Sequence, residues 1–410
     1  MIADTVVVGA GLAGLSAALR LAEAGRRVVV VAKGIGATHL APPTIDVLGY
    51  DGERVDSPAE ALPRFNARHA DHPYARLGVS GVAEAVSWFS ARADSLDFAG
   101  TIDENFLLPT AVGAAKPSAV VPRTMSAGDL RRRGRYLFIG FPALKDFYPA
   151  LLAANLRRAG FEARWLELGL VDEPDVNSVG LARRFDDAAF RERLGRDLRR
   201  RLEPGEAVGF PAVLGLADAP AVFADLQERL GAPVFEVPTL PPSVPGMRLY
   251  EALVARLRSA GGRLVVGGPV SGAEARDGRI DAVNVRAAAR PVAYRARSFV
   301  LASGGFASGG LELDSHGTVT ETVFGLPVAG VADGRPHFAP GVFDPQPLAK
   351  AGVAVDDALR PLDAEGRPVY GNLHAAGAVL AGAEPWREAS GNGIALASGY
   401  AAASAILAER

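Results

Sequence analysis

The pattern of apolar and polar positions at the start of the chain predicts a strand, a helix and a second strand. Thr5–Val8 are all β-branched, and Leu15, Ala18, Leu19 and Ala22 then recur at helical spacing. Gly25 stands where a C-cap would end the helix. Arg27–Val31 is nearly all valine, as expected for a parallel strand buried on both faces. The sequence therefore predicts a βαβ unit at the N-terminus.

A second α/β rhythm fills the middle of the chain. Strand-like runs alternate there with helical patterns, at 136–140, 162–168, 207–210 and 234–237. The proline-rich stretch Pro238–Pro245 is expected to form neither a central strand nor a helix. We interpret residues 57–245 as an inserted α/β cap domain, and residues 1–56 and 246–410 as one discontinuous domain. The predicted fold class is α/β, with an inserted α/β cap domain.

A glycine turn between the first strand and its helix matches the dinucleotide fingerprint. Gly9, Gly11 and Gly14 stand at the required spacing, with Leu12 and Ala13 between them. The first glycine permits the tight turn and the second lets the backbone approach a phosphate. The third packs the helix against the strand, and the helix N-terminus supplies amide donors. An ordinary strand–helix turn is the alternative, but the full context favours nucleotide binding. The predicted fold is therefore an FAD/NAD(P)-binding Rossmann-like fold of the two-dinucleotide-binding-domain type.

The end of the second strand departs from that fingerprint. An acid usually stands there and accepts a hydrogen bond from an adenosine ribose. This chain has Lys33 followed by Gly34, and lysine offers only donors. Lys33 could pair with a phosphate, which leaves room for FMN, a flavin without adenosine. Alternatively, another residue holds the ribose of FAD and Lys33 faces water.

Two further glycine-rich signals follow late in the chain. One loop comes directly after the apolar strand Phe299–Ala302; the strand-like Leu373–Ala376 leads into the other, which lacks the expected acid because Ala378 stands in its place. The small-residue helix at 393–407 begins in a further glycine cluster, whose amides could stabilise negative charge on a reduced flavin. The predicted cofactor-binding residues of this half are Ser303, Gly304, Gly305, Gly377, Gly391, Asn392 and Gly393.

Composition narrows the chemistry. The 410-residue chain contains no cysteine, which excludes disulfides, cysteine-ligated iron–sulfur clusters and thiol nucleophiles. The six histidines lack metal-ligand spacing, so we predict no metal. A formal net charge of -2 gives no reason to expect nucleic acid as a partner. We find no signal peptide and no apolar stretch near membrane-spanning length, and expect a cytoplasmic protein with at most peripheral membrane contact.

The sequence resembles the B subunits of anaerobic glycerol-3-phosphate dehydrogenase, flavoproteins related to the fumarate-reductase group. The resemblance extends over nearly the whole chain. It rests on Gly9–Gly14, Ala37–His39 with Asp46, His72–Tyr74, Leu144–Phe147, Leu240–Leu249, Leu301–Gly310 and Phe343–Pro347. The loop Leu40–Thr44 and the cluster Gly391–Gly393 depart from the family pattern.

The resemblance implies FMN as the flavin, with FAD as the alternative. It also implies an FAD-bearing catalytic subunit and an iron–sulfur subunit as partners, with electrons going to quinone. The implied reaction oxidises sn-glycerol 3-phosphate, a small phosphorylated polyol, to dihydroxyacetone phosphate. Our candidates are His39 as the base, and Arg248 and Lys116 as ligands of the substrate phosphate. Arg248 could instead pair with an acid, Lys116 could face water, and His39 and His374 could be packed side chains.

Two other functions stay open at this point. In the first, the chain is a non-catalytic electron-transfer or assembly subunit, which the missing acids and altered loops favour. In the second, it is a flavin-dependent oxidoreductase for another hydroxy compound, since no residue identifies the substrate.

Overall fold

The computed structural model describes residues 3–92, 96–288, 290–331 and 336–409. The predicted domain ranges also include residues 1–2, 93–95, 289, 332–335 and 410, which lie outside the described residues. The helices are α1 Leu12–Glu23, α2 Pro58–Arg68, α3 Pro73–Ser90, α4 Arg123–Ser126, α5 Pro149–Arg158, α6 Ser178–Asp186, α7 Ala188–Arg199, α8 Ala219–Leu230, α9 Val244–Ser259, α10 Pro385–Glu388 and α11 Gly391–Ala408. The strands are β1 Ala3–Val8, β2 Val28–Ala32, β3 Tyr50–Asp51, β4 Glu53–Arg54, β5 Phe98–Ala99, β6 Phe106–Pro109, β7 Ala115–Ser118, β8 Val121–Pro122, β9 Arg135–Gly140, β10 Glu162–Glu167, β11 Glu206–Pro211, β12 Val234–Val237, β13 Arg263–Val266, β14 Val270–Arg276, β15 Arg279–Val285, β16 Val292–Leu301, β17 Leu311–Leu313, β18 Val319–Glu321 and β19 Leu373–Ala375.

The larger sheet carries the predicted βαβ unit at its centre. Its strands follow the order β13-β2-β1-β16-β15-β14, and β19 pairs with β16. The first half of β16 pairs antiparallel with β15, and its second half runs parallel to β1 and β19. The valines of β1 and β2 are almost wholly buried, except for the half-buried Val29, because helices cover the parallel part of the sheet. The carboxyl ends of β2, β1, β16 and β19 therefore meet at one edge.

A smaller parallel sheet forms the core of the inserted segment. Its strands follow the order β10-β9-β11-β12. Phe138, Phe210 and Phe235 are fully buried on it, with Phe185 from α6. The two sheets and their separate apolar clusters confirm the predicted fold class, a Rossmann-like domain with an α/β insertion.

The chain first changes from packing on the larger sheet to packing on the smaller one at a later residue than the predicted boundary at residue 57. Side chains of α2 and α3, such as Phe65 and Phe89, pack in the cluster of the larger sheet. Ile102 still belongs to that cluster, whereas Leu107 belongs to the cluster of the smaller sheet. The packing therefore favours a first crossing between Ile102 and Leu107.

Helix α9 begins inside the stretch that we expected to contain no helix. Ser243 caps it by accepting a hydrogen bond from the Gly246 amide, and Pro245 lies in its first turn. Proline is tolerated there because a first-turn amide has no partner within the helix. The rule against proline applies to helix interiors, so it excluded too much of this segment.

One helix is an exception to the expectation that no apolar segment approaches membrane-spanning length. Helix α11 is long and apolar enough to cross a bilayer by length and composition alone. Half of it is buried in the protein, however, and Gly399 packs directly against the backbone of Ala13 in α1. This burial is typical of a core helix.

Candidate flavin-binding site

The turn after β1 leaves one glycine open and packs the other two tightly. Gly9 has a φ of +114°, and a Cβ there would lie 2.7 Å from the carbonyl carbon of Ala302. A Cβ on Gly14 would lie 3.0 Å from the carbonyl carbon of Gly9 and closer still to its oxygen. A Cβ on Gly11 would meet nothing within 4 Å. The backbone at Gly11 is thus free to approach a ligand, as the fingerprint requires.

The loops after β16 and β19 lie beside this turn. The amide of Ala302 donates to the Val8 oxygen at 2.8 Å, and Ala376 donates to Leu301 at 2.8 Å. Gly377 has a φ of +82°, and a Cβ there would lie 2.9 Å from the Cβ of Ala13. Three glycine clusters that are far apart in sequence therefore converge at one edge of the sheet.

One buried hydroxyl at this edge lacks a hydrogen-bond partner among the residues that the structure describes. The hydroxyl of Ser303, the first residue after Ala302, is buried without a hydrogen-bond partner in the described part of the chain. Gly304 has a φ of +79°, and a Cβ on Gly305 would meet the Ala378 oxygen at 2.8 Å. Glycine is needed at both positions, so the chain can fold closely around this edge. An unsatisfied hydroxyl beside an open glycine turn fits a bound cofactor.

Lys33 lies at the same edge of the larger sheet, next to the loop that follows β16. A Cβ on Gly309 would come within 2.8 Å of the Lys33 ammonium. Gly34 has open space around it, and Gly36 packs against the backbone of Gly11. The end of β2 thus presents a cation where the fingerprint expects a carboxylate.

The first turn of α11 is held by the segment that follows Gly36. The amide of Gly393 donates to the Asp46 oxygen at 3.0 Å, and the Asn392 side chain donates to the Thr44 oxygen at 2.8 Å. Because α11 passes α1 at Gly399, its N-terminus extends beyond that contact by eight residues, or about 12 Å. The predicted glycine cluster at 391–393 therefore lies about 12 Å along the helix from the contact between α11 and α1.

His39 combines a buried nitrogen with a lowered basicity. It ends a 3-10 turn over Ala37–His39, and its ring packs edge-to-face on Tyr250 with centroids 4.9 Å apart. Its Nε2 is buried without a partner in the described ranges. Burial lowers the pKa of His39, although Glu251 partly opposes the shift. An unpaired, neutral imidazole nitrogen is compatible with the predicted role as a base.

Lys116 reaches the candidate site from the inserted segment, but it arrives with a counterion. Its ammonium lies 2.5 Å from Asp46 Oδ2 and 3.3 Å from Thr44 Oγ1. Asp46 also accepts a hydrogen bond from the Ser118 hydroxyl at 2.6 Å. Lys116 therefore lies beside the first turn of α11, as part of an ion pair.

Arg248 is already engaged and does not suit the predicted role at a substrate phosphate. Its guanidinium forms two hydrogen bonds to Glu236, at 2.9 and 3.1 Å, and donates to the Gly215 oxygen at 2.8 Å. Both charged side chains are almost wholly buried. This is the alternative in which Arg248 pairs with an acid, and it ties α9 to β12. His374 is likewise packed: its side chain is buried, with Nδ1 2.7 Å from the Ala358 oxygen.

The structure also reveals a buried hydrogen-bonded group that the sequence analysis did not identify. His72, Glu388 and Ser390 meet directly before α11, although His72 and Glu388 are 316 residues apart. The His72–Tyr74 motif was visible in the sequence, but nothing there indicated its partner.

These features define a class of protein. The open glycine turn, the converging strand ends and the sheet topology are those of a flavin-dependent oxidoreductase of the two-dinucleotide-binding-domain type. A family model described as "FAD binding domain" matches residues 4–394. The fold is similar to that of 3-ketosteroid delta1-dehydrogenase from Sterolibacterium denitrificans, with a TM-score of 0.51, 14% identity and full coverage of both chains.

Curated relatives narrow the class further. The chain is 36% identical to the probable B subunit of anaerobic glycerol-3-phosphate dehydrogenase from Halobacterium salinarum, over 98% of this chain and 97% of that one. It is 35% identical to the B subunit of anaerobic glycerol-3-phosphate dehydrogenase from Pectobacterium carotovorum subsp. carotovorum, over 99% of each chain. The chain therefore belongs to the family of anaerobic glycerol-3-phosphate dehydrogenase B subunits.

Proposed function

We propose that this chain is the flavoprotein B subunit of a complex that oxidises sn-glycerol 3-phosphate to dihydroxyacetone phosphate. The observation that carries the proposal is full-length similarity to named B subunits, combined with an open flavin-binding edge. The bound flavin would accept a hydride equivalent from the carbinol carbon. Gly11 would bring its amide to the flavin phosphate, and the first turn of α11 would face the other end of the cofactor.

We propose FMN as the flavin, with FAD as the alternative. The support is Lys33, because an ammonium cannot accept a hydrogen bond from an adenosine ribose. Its position beside Gly309 places the cation at the edge where an adenosine would continue from the phosphates. The test is to denature the purified chain and separate the released FMN and FAD. FMN would support the assignment, and FAD would overturn it.

His39 is our candidate for the base that takes the hydroxyl proton. Its buried, unpaired Nε2 and lowered pKa support a neutral ring that could accept a proton. His39→Gln should keep much of the ring's volume while removing that basicity. We expect a large loss of turnover in the assembled complex and little change in flavin content. Full turnover would remove His39 from the mechanism.

A second function is favoured by the state of the two candidate phosphate ligands. Arg248 is paired with Glu236, and Lys116 is paired with Asp46. Because each cation already has a carboxylate partner, neither is free for a substrate dianion. Such pairing is expected in a subunit that only carries electrons or organises the complex. Glycerol 3-phosphate oxidation by the purified chain with an artificial electron acceptor separates the two functions. Activity would establish catalysis in this chain; activity only in the complex would favour the electron-carrying role.

We also propose that the complex includes an FAD-bearing subunit and an iron–sulfur subunit, with quinone as the final acceptor. The absence of cysteine supports this division, because the chain cannot ligate an iron–sulfur cluster through its own thiolates. We expect a cytoplasmic location, with contact at the inner face of the membrane through partners. Co-purification of tagged chain from its native source tests the assembly: recovery of no other subunit would contradict it.

A further inference from the structure

The loop between His337 and Leu348 presents apolar side chains to solvent. Val342 and Phe343 are 81% and 86% exposed, more than any other large apolar side chain in the described part of the chain. Phe338, in the same loop, is more than half exposed. Single exposed apolar residues are common on protein surfaces, whereas a group of them marks an interaction site.

Polar contacts hold this loop in a defined conformation. The amide of Leu348 donates to the His337 oxygen at 3.0 Å and closes the loop. Inside it, the Gln346 side chain accepts the Ala339 amide at 2.9 Å and donates to the Gly341 oxygen at 2.8 Å. A loop that is ordered before binding loses less conformational entropy when a partner covers it, so its apolar tip is suited to recognition.

Arg387 connects the loop to α10. Its guanidinium donates to the Phe343 oxygen at 2.7 Å and lies 5.5 Å from the centre of the Trp386 ring, which is more than half exposed. Arg387 is itself exposed and has no ion-pair partner among the described residues. The loop and α10 thus share one surface, which we call the tip patch; it consists of Phe338, Val342, Phe343, Trp386 and Arg387.

The composition and size of the tip patch are those of the centre of a protein interface. Aromatic residues and arginine are enriched there, and tryptophan and arginine are frequent among the side chains that dominate the binding energy. Because an aromatic side chain presents about 150–250 Å², the four apolar residues together expose on the order of 500 Å². A standard interface covers about 800 Å² on each partner and has a polar rim. The patch therefore fits the apolar centre of a contact with another macromolecule.

The position of the tip patch beside the candidate flavin site indicates what that macromolecule does. Arg387 stands four residues before Gly391, where α11 begins, so the two Cα atoms are at most about 15 Å apart. A reduced flavin must pass its electrons on before it can react again. The chain contains no cysteine, so a cysteine-ligated cluster that receives these electrons belongs to another subunit.

The segment that builds the patch is also among the features that resemble the B subunits. Phe343–Pro347 is one of the segments on which that resemblance rests. It contains the most exposed side chain of the patch together with Asp344 and Gln346, which bind backbone groups of the loop. A motif of a subunit family thus maps to an exposed loop and not to the buried core. This favours another subunit as the occupant over a membrane or a second copy of the chain.

We propose that the tip patch is the docking surface for the subunit that takes electrons from this chain. The partner would present an apolar face to the loop and to Trp386, with a carboxylate opposite Arg387. Docking there would bring the partner's redox group toward the first turn of α11. This inference rests on the proposed function, because it requires a bound flavin that passes electrons to another subunit.

Val342→Ser/Phe343→Ser tests the proposal in the tagged full-length chain, purified from its native source together with bound subunits. Both side chains are already exposed, so the variant should keep the wild-type flavin content and thermal stability. We expect recovery of the partner to fall by at least about tenfold, as for the loss of an interface anchor. A recovered protein counts as the partner only if mass spectrometry identifies it and it carries FAD or an iron–sulfur cluster.

Val112→Ser/Tyr148→Ser is the matched control, since both of these apolar side chains of the inserted segment are more than half exposed. The control should recover the partner as well as the wild-type chain does. Trp386→Ser, on the helical side of the tip patch, should also reduce recovery, and it serves as the test if the double variant at the loop does not fold.

Undiminished recovery in the loop variant, or an equal loss in the control, would overturn the proposal. Binding of the wild-type chain but not the loop variant to phosphatidylcholine vesicles would assign the patch to a membrane instead. A wild-type dimer that the loop variant converts to a monomer would assign it to a second copy. If the wild-type chain recovers no redox subunit, the proposed function fails as well, whereas a complex that forms equally with the wild-type chain and the loop variant refutes only this inference.

Discussion

Replacing Gly11 by alanine should weaken flavin binding without disturbing the fold. A Cβ at Gly11 meets nothing within 4 Å, and the backbone there has a φ of -77°, which alanine adopts without strain. Gly11 is the N-cap of α1, where alanine is less favourable than glycine by at most about 1 kcal/mol. The new methyl group would occupy the space through which a phosphate approaches the backbone.

The size of the effect follows from the bonds that are lost. Hydrogen bonds to a charged group contribute about 1.5–3 kcal/mol each. Preventing one such contact should weaken flavin binding by about tenfold to a hundredfold. Gly14→Ala should behave differently, because its Cβ would lie 3.0 Å from the Gly9 carbonyl carbon and overlap the oxygen. We expect that variant to lose about 3 kcal/mol of stability through overpacking.

The assay measures flavin dissociation constants by fluorescence quenching, with thermal unfolding followed in parallel. Gly81→Ala is the matched control, since Gly81 lies within α3 and its nearest neighbour would be Leu77 Cβ at 3.9 Å. It should bind flavin normally and lose no stability. If Gly11→Ala bound flavin as tightly as the wild-type chain, the phosphate would not approach this turn and the site would be misplaced.

Three further predictions test individual side chains. Lys33→Glu should raise FAD affinity relative to FMN by about tenfold, because a carboxylate can accept the ribose hydrogen bond; Lys33→Met should not, and equal flavin selectivity in both variants would contradict this account. Arg248→Met should cost about 3–5 kcal/mol of unfolding free energy by leaving Glu236 buried and unpaired, whereas Arg248→Met/Glu236→Leu should recover most of it in chemical denaturation. Since the pKa of Glu388 is lowered from 4.5, its stabilisation is complete above about pH 4.5 and is lost as pH falls through the folded value. Glu388→Gln should therefore flatten the acid side of the stability curve, and an unchanged slope would contradict the assignment.

The inserted segment shows where local sequence rules were sufficient. Its buried strands were visible as short apolar runs, because a parallel strand buried on both faces reads that way wherever it occurs. The first boundary of the inserted segment could not be located from the sequence in the same way. Phe65 and Phe89 pack with the larger sheet, and an amphipathic helix shows that it has an apolar face without showing which core will receive it.

The sequence by itself determined the cofactor edge of this protein. Gly9, Gly11 and Gly14 carry their information locally, since turn geometry and close helix–strand packing depend on residues a few positions apart. The later clusters, at 303–305 and 377, could be recognised in the same way, because each follows directly after an apolar strand. Lys33 could be recognised as unusual for the same reason, because its position is counted from the strand that precedes it.

Only the tertiary structure decided the state of the charged side chains. Arg248 was compatible with a substrate phosphate and with an acid until folding brought Glu236 within 2.9 Å. His72 meets Glu388 across 316 residues, a pairing that no local periodicity records. The strength of an ion pair or hydrogen bond depends on the distance between its atoms in space. The number of residues that separate the two partners in the sequence does not indicate that distance. The glycines therefore predict the candidate site, whereas folding determined which side chains remain free within it.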